Sequence, residues 1–227
     1  MPANTPAKTT PTQHERDALR TQLKNNAIDD LTWKVLKTSI FPGAKNESII
    51  AAVNYCKARN LDILKKPVHI VPMYVEDSVT GEKGYRDVIM PGIAEARTTA
   101  SRTNAYAGQD EPIFGEDIDF KGVIAPAYCK ITVYKMVQEM RCGWSHIEYF
   151  AEAVATKKAD GKPNAMWSKR PRGQLAKCAE AGALRKAFPD ELGGTITADE
   201  MFGREEIDIT PIGKPDVEMP ESIDDNV

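Results

Sequence analysis

The sequence predicts an α+β domain, in which an antiparallel sheet with a hairpin packs against helices on one side. Residues 67–75 are β-branched and aromatic, residues 77–84 are rich in turn formers, and residues 85–90 return as a second strand. Residues 127–140 form a longer β-like pattern, and residues 144–150 follow a glycine-containing break and can pair back on it. Because the two strands of each pair follow one another without an intervening helix, we expect antiparallel pairing.

Helices are predicted before, between and after these strands. Three precede the first strand, one opens at Pro91 after the hairpin, and the last and longest ends before Pro189. They cover about residues 14–25, 30–39, 46–59, 91–102 and 169–188. Residues 107–122, rich in Gly, Asp and Glu, are predicted to be a loop, and residues 156–165 a polar basic loop.

Charge is unevenly distributed along the 227 residues, whose net charge is -3. Residues 204–227 carry two cations and eight carboxylates, so the net charge of this segment is -6 and that of residues 1–203 is +3. We predict a disordered N-terminal tail over residues 1–12, one folded domain over residues 13–203, and an acidic, disordered tail over residues 204–227. The acidic tail is predicted either to bind a partner or to cover basic residues of the domain.

Several classes of protein are disfavoured by what the sequence lacks. The four cysteines and three histidines show no zinc-site spacing, so we expect reduced, mostly buried thiols and no metal site. No apolar run is long enough for a membrane helix and the N-terminus lacks a signal sequence, so a cytoplasmic protein is expected. Neither a G-x-x-x-x-G-K-[ST] loop nor a G-x-G-x-x-G turn occurs, which argues against ATP-dependent function.

The strongest candidate site is the predicted helix over residues 169–188, which holds six cations against one carboxylate. The cations are Lys169, Arg170, Arg172, Lys177, Arg185 and Lys186. Phosphate oxygens require such cations, and the start of a helix adds N–H donors and partial positive charge. The small and apolar residues, such as Leu175 and Ala179, fall on a different face, which should leave a basic edge open. A solvated helix with no ligand is the alternative interpretation.

Other cations and aromatic residues could extend a surface for nucleic acid. The cations are Lys65, Lys66, Arg97, Arg102, Lys157 and Lys158. The aromatic residues that could stack on bases are Tyr106, Trp144, Tyr149, Phe150 and Trp167. Ordinary surface cations and packed core aromatics are the alternatives.

Acidic residues cluster at Asp110 and Glu111 and again at Glu116, Asp117 and Asp119. A Mg²⁺-dependent nuclease would need such carboxylates. It would also need a positioned lysine or histidine, and the spacing is more typical of a solvated turn, so we expect no enzyme.

Three segments match one known family in order and spacing. They are residues 60–69, residues 90–108, and the pattern W-x-x-x-P followed by L-x-K-x-A and A-x-R-x-A-F. The third is the most specific and consists of Trp167, Pro171, Leu175, Lys177, Ala179, Ala183, Arg185, Ala187 and Phe188. Over about residues 28–203 the chain therefore resembles the phage recombination proteins of the Bet (lambda Red beta) and RecT family.

The resemblance implies ATP-independent binding of single-stranded DNA, followed by annealing of complementary strands to a duplex intermediate. It implies an oligomeric ring or filament in the cytoplasm of a bacterial host. No cofactor is implied, with Mg²⁺ at most a counterion of phosphate. Residues 13–203 would then be the domain for DNA annealing and oligomerisation.

By position, the family's phosphate-contacting sites fall on Lys66, Lys157, Arg172, Lys177 and Arg185. Gly173 and Gln174 depart from the family's usual residues and could each shift a DNA contact. The family's partners are an exonuclease and a host single-strand binding protein, but the C-terminal domain that binds them is largely absent from this sequence. A Mg²⁺-dependent nuclease and a partner adaptor that does not bind DNA remain the alternatives.

Overall fold

Three helices form the first part of the fold. The computed structural model describes residues 12–76, 83–157 and 159–201. Helix α1 spans Gln13–Asn25, α2 spans Asp30–Val35 and continues into a π-helical turn over Leu36–Ile40, and α3 spans Asn46–Ala58. Leu36, Ile49 and Val53 are buried together in one core cluster, so the apolar spacing correctly predicted these helices.

A two-stranded hairpin follows a 3₁₀ turn over Ile63–Lys65. Strands β1, Val68–Glu76, and β2, Lys83–Pro91, pair antiparallel, which confirms the predicted hairpin. The predicted turn at residues 77–82 lies outside the described residues. Pro91 ends β2 and does not open the next helix, because α4 spans Ile93–Arg102 and begins after Gly92.

The central sheet is built around strand β7, Tyr128–Val137. Strand β8, Met140–Tyr149, pairs with β7 along its whole length, as the sequence predicted. On the other side of β7 lie β3, Tyr106–Gln109, and β4, Ile113–Phe114. Strands β5, Asp117–Phe120, and β6, Val123–Pro126, form a separate hairpin.

The prediction of a loop over residues 107–122 is wrong. This segment holds most of β3 and all of β4 and β5, each between two and four residues long. Its Gly, Asp and Glu residues are typical of turns, but Phe114 and Phe120 pack against the main core. Strands this short show too little alternation to be recognised in a sequence.

Helix α7, Pro171–Ala187, lies across the inner face of the sheet. Its Leu175, Ala179 and Ala183 share the main core with Ile131 and Val133 of β7. Small side chains permit this close packing: a methyl group at Gly182 would come within 2.2 Å of the His146 ring. The opposite face of the sheet is open, since Ile147 and Tyr149 are exposed.

Four short helices complete the fold. They are α5, Phe150–Ala153, α6, Ala165–Lys169, α8, Pro189–Leu192, and α9, Ala198–Met201. Ala198 of α9 packs against Val71, Met73 and Met90 of the hairpin. The predicted α+β class with an antiparallel sheet is confirmed. Among the described helices, none combines the length and the apolarity needed to cross a membrane.

Candidate nucleic-acid interface

The junction between α6 and α7 presents three cations to solvent. Asn164 begins α6 by accepting hydrogen bonds from the N–H groups of Met166 and Trp167, at 3.0 and 3.1 Å. Pro171 occupies the first turn of α7, where its missing N–H is not needed. The turn between these helices leaves Lys169, Arg170 and Arg172 exposed at the helix start.

Arg172 makes an ion pair that the sequence did not predict. Its Nη2 donates to both carboxylate oxygens of Asp117, at 2.6 and 2.8 Å. Both side chains are about half exposed, 53% for Arg172 and 44% for Asp117. The pair therefore joins the start of β5 to the start of α7 at the protein surface.

A second contact joins the other end of β5 to the basic loop before α6. Lys121 Nζ donates to the Gly161 carbonyl at 2.9 Å. The loop is closed by backbone bonds between Lys157 and Lys162 and between Gly161 and Lys157, at 2.9 and 2.8 Å. Together with the Arg172–Asp117 pair, this contact holds the whole of β5 beside residues 161–172.

These two contacts bring together the segments that carry six exposed cations, and we call the surface of these segments the basic strip. Its members are Lys121, Lys157, Lys162, Lys169, Arg170 and Arg172. The alignment along β5 covers about 13 Å, at roughly 3.3 Å per strand residue. In duplex DNA, each strand carries one phosphate charge about every 3.4 Å along the helix axis. The length of β5 therefore corresponds to several phosphates of one strand.

Sequence reasoning missed two members of the basic strip. Lys121 and Lys162 lie 41 residues apart in the chain, and only the folded contact at Gly161 brings them together. Neither lies in a recognised motif, and the only available signals were the predicted basic loop around Lys162 and the predicted loop around Lys121.

The carboxylates beside the basic strip have different roles. Asp119 Oδ1 accepts the N–H of Gly122 at 2.7 Å, and Asp160 Oδ1 accepts the N–H of Lys162 at 3.0 Å. These two therefore stabilise turns, whereas Asp117 binds Arg172. Within the described residues, no group of three or more His, Cys, Asp or Glu side chains is arranged to hold a metal ion.

Arg185 does not lie on an open basic edge, so that part of the sequence prediction is wrong. Its guanidinium donates to both carboxylate oxygens of Glu200, at 2.6 and 2.5 Å, and to the Thr195 carbonyl at 3.4 Å. The two side chains are only 26% and 12% exposed. Glu200 also accepts from the N–H and the hydroxyl of Thr197, so the pair fastens the segment before α9 onto α7.

Arg97 also pairs with a carboxylate, but its own side chain is 54% exposed. It donates through Nε and Nη2 to the two oxygens of Glu180, both at 2.6 Å, and Glu180 is buried. This pair links α4 to the middle of α7. The phosphate-binding roles predicted for Arg97 and Arg185 remain predictions, and their acidic partners, 5% and 12% exposed, argue against them.

The remaining predicted cations are scattered. Lys177 is half-buried on α7, whereas Lys186 is exposed and donates to the Ser145 carbonyl at 3.2 Å. Lys65 and Lys66 are exposed just before β1, and no ion pair or hydrogen bond among the described residues joins them to the basic strip. Lys158 lies outside the described residues.

Trp167 cannot stack on a base, contrary to one interpretation of the sequence. It is fully buried and meets Phe150 edge to face at 5.5 Å between ring centroids. Phe150 is also fully buried, whereas Tyr106 and Tyr149 are exposed. Trp167 therefore anchors α6 in the core, which positions the adjacent cations without touching nucleic acid.

A buried acid lies between α3 and α4, away from the basic strip. Glu95 accepts from Arg59 Nη1 at 3.0 Å and is 1% exposed. Burial raises the pKa of Glu95, and the nearby Arg59 only partly offsets this effect. Burial, together with the charge of Glu95, raises the pKa of Tyr55 to about 12.

The cysteines are free thiols, as predicted. Cys56, Cys129 and Cys178 are buried and Cys142 is half-buried. Burial raises the pKa of Cys56 and of Cys129 to about 11, which disfavours the reactive thiolate at neutral pH.

The RecT family model matches residues 26–212, which is more than half of the chain and includes the whole basic strip. The chain belongs to the RecT family. No curated protein matches it in sequence. The RecT family acts in single-strand annealing during phage-type recombination, and its members bind single-stranded DNA and oligomerise. The resemblance read from residues 60–69, 90–108 and 167–188 is thereby confirmed.

Proposed function

We propose that this RecT-family protein binds single-stranded DNA through the basic strip and anneals complementary strands without nucleotide hydrolysis. The observation that carries the proposal is the pair of contacts, Lys121–Gly161 and Arg172–Asp117, that aligns the cations along β5. Cations at one surface neutralise successive phosphates and release their counterions, so binding should be strongly salt-dependent.

In the proposed mechanism the protein contacts the backbone of the DNA and leaves the bases exposed. Backbone contacts position a strand but carry no sequence information, so little sequence preference is expected. Base pairing with a second strand provides both specificity and driving force, and the product is an annealed duplex intermediate. No cofactor is required, and Mg²⁺ would act only as a counterion of phosphate.

We propose that copies of the chain associate through the outer edge of β8, on the side away from β7. On the β3 and β4 side of β7, the Met136 N–H donates to the Ala105 carbonyl, and the Thr132 and Tyr128 carbonyls accept from the N–H groups of Asp110 and Gly115. The β7 residues between these three and their alternates direct their backbone N–H and C=O groups to β8 and bond every second residue of β8. The remaining residues of β8 direct their backbone N–H and C=O groups away from β7. These residues are Arg141, Gly143, Ser145, Ile147 and Tyr149. Among the described residues no other strand pairs with this edge, although the Ser145 carbonyl accepts from Lys186 Nζ at 3.2 Å. Such an edge favours pairing with another chain.

An oligonucleotide assay tests the annealing function. Labelled single strands are mixed with the protein at low salt, with and without the complementary strand, ATP, Mg²⁺ and EDTA. We expect binding of the single strand and faster duplex formation in every condition, unchanged by ATP or chelation. Shortened DNA that disappears with EDTA would indicate the nuclease instead, and no affinity for DNA would indicate a partner adaptor.

Ser145→Pro tests the proposed association. A proline here removes an outward N–H and no backbone bond to β7, and sheet edges tolerate it. The bond between the Ser145 and Thr132 hydroxyls is lost in Ser145→Ala as well. We expect wild type and Ser145→Ala to sediment as oligomers at micromolar concentration and Ser145→Pro to sediment as smaller species with an unchanged circular dichroism spectrum. Equal sedimentation of all three proteins would exclude the β8 edge as the surface through which copies of the chain associate.

Partners beyond DNA and the chain itself are a further part of the proposal. A phage exonuclease and a host single-strand binding protein are partners consistent with the family, in the cytoplasm of a bacterial host. The acidic residues 204–227, which lie outside the described residues, are a candidate segment for such contacts because acidic tails often bind partners. Pull-down of each purified partner with the full chain and with a chain ending at residue 203 tests this assignment.

A further inference from the structure

Arg172 differs from the other cations of the basic strip in having a carboxylate partner. Among the described residues, Lys169 and Arg170 make no ion pair, and Lys121 bonds a carbonyl. The Arg172–Asp117 pair is half exposed, so it contributes little to folding and is accessible to a competing anion.

We propose that Asp117 competes with DNA phosphate for Arg172, so that Arg172 exchanges partners whenever a strand binds or leaves. This inference rests on the proposed function and specifies how its site is regulated. An annealing protein must bind a single strand and then release the duplex. A competing carboxylate in the site lowers the affinity for phosphate without removing the cation.

The geometry of the pair permits a direct exchange. Both oxygens of Asp117 accept from the same nitrogen, Nη2 of Arg172. A guanidinium has five N–H donors, and within the described residues Nε and Nη1 of Arg172 have no hydrogen-bond partner. A phosphate can therefore bind Nη1 or Nε before Asp117 leaves Nη2, which avoids an unpaired intermediate.

Asp119 supplies a matched control because it lies on the same face of the same short strand and carries the same charge. Its Oδ1 accepts the Gly122 N–H, a bond that an asparagine retains. Asp117→Asn and Asp119→Asn therefore change the net charge near the basic strip equally. Only Asp117→Asn releases Arg172 from a charged partner.

The test measures affinity of the full chain for a labelled single-stranded oligonucleotide at low salt, in four variants. They are Asp117→Asn, Asp119→Asn, Arg172→Gln, and the double variant Asp117→Asn with Arg172→Gln. We expect Asp117→Asn to tighten binding about threefold more than Asp119→Asn does, the scale of an exposed ion pair. We expect this extra gain to vanish when Arg172 is already glutamine.

Each result decides a separate question. The inference is wrong if Asp117→Asn and Asp119→Asn increase the affinity equally, or if the extra increase persists without Arg172. In either case Asp117 would act only by general electrostatic repulsion of DNA. If wild type does not bind the oligonucleotide at all, the proposed function itself fails. Thermal unfolding of each variant identifies any change in affinity that follows from lost folding.

Discussion

The two ends of helix α7 carry similar cations in opposite surroundings. At the first turn, Arg172 and its neighbour Arg170 are exposed, and the nearest carboxylate, Asp117, is exposed as well. Near the last turn, Arg185 is three-quarters buried and held by Glu200, itself 12% exposed. The helix therefore presents one basic end to solvent and uses the other to fasten the segment before α9.

This difference separates cations that could bind DNA from cations that maintain the fold. Removing one partner of a buried pair leaves an uncompensated charge away from water, which is strongly destabilising. Removing an exposed cation changes stability little but removes a charge that phosphate could meet. Under the proposed function, the burial of the acidic partner distinguishes the two groups, since Arg97 pairs with buried Glu180 although its own side chain is 54% exposed.

Arg185→Ala should cause the largest change, a loss of about 3 kcal/mol in the free energy of unfolding. Glu200 would lose its bidentate partner, and residues 195–201 would lose the hydrogen bonds that join them to Arg185 of α7. Urea denaturation followed by circular dichroism measures the effect. The control is Lys186→Ala, an exposed neighbour that should change stability by no more than about 0.5 kcal/mol. Equal stability of both variants would remove the distinction between the two ends.

Glu95 is buried, unlike the exposed carboxylates near the basic strip, and should make the free energy of unfolding depend on pH. Its raised pKa means that the folded protein binds the proton more tightly than the unfolded chain does. The stabilising contribution of protonation is thus fully present below about pH 4.5 and is lost as pH rises towards the folded pKa, by at most about 1.4 kcal/mol per pH unit.

Denaturation at a series of pH values above 4.5 tests this dependence. Relative to wild type, Glu95→Gln should become progressively more stable as pH rises, because glutamine cannot ionise. The exposed Glu191→Gln should keep the wild-type profile. A constant difference between wild type and Glu95→Gln across the series would contradict the assigned shift.

A smaller effect is expected at Lys162, which sequence reasoning did not select. Lys162→Gln should weaken single-strand binding about two- to threefold at low salt, since one exposed phosphate contact is lost. The control is Lys24→Gln, an equally exposed lysine on α1 away from the basic strip. Identical losses in both variants would show that net charge, not the strip, controls binding.

The parts of the fold with strong periodicity could be predicted from the sequence. The β1–β2 and β7–β8 pairings and helix α7 follow from local patterns of apolar residues. The β5–β6 hairpin could not be predicted, because its strands have only four residues each, β5 carries two Asp residues, and Gly122 lies between the strands.

The candidate site was predictable in location but not in detail. The α6–α7 junction was visible as a local excess of cations. The partner of Arg185 lies 15 residues away and that of Arg97 lies 83 residues away, so only the tertiary structure shows which cations are neutralised. The burial of Trp167 against Phe150 likewise depends on where α6 docks.

The salt dependence of single-strand binding tests the central claim most directly, when it is measured for wild type, Arg170→Gln and Arg185→Gln under conditions where all three are folded. We expect Arg170→Gln to reduce the slope of log affinity against log salt concentration by about 0.7, the value for one phosphate contact with a single strand. Arg185→Gln should keep the wild-type slope while lowering the free energy of unfolding. A reduced slope in Arg185→Gln with an unchanged slope in Arg170→Gln would contradict the division between the two ends of α7.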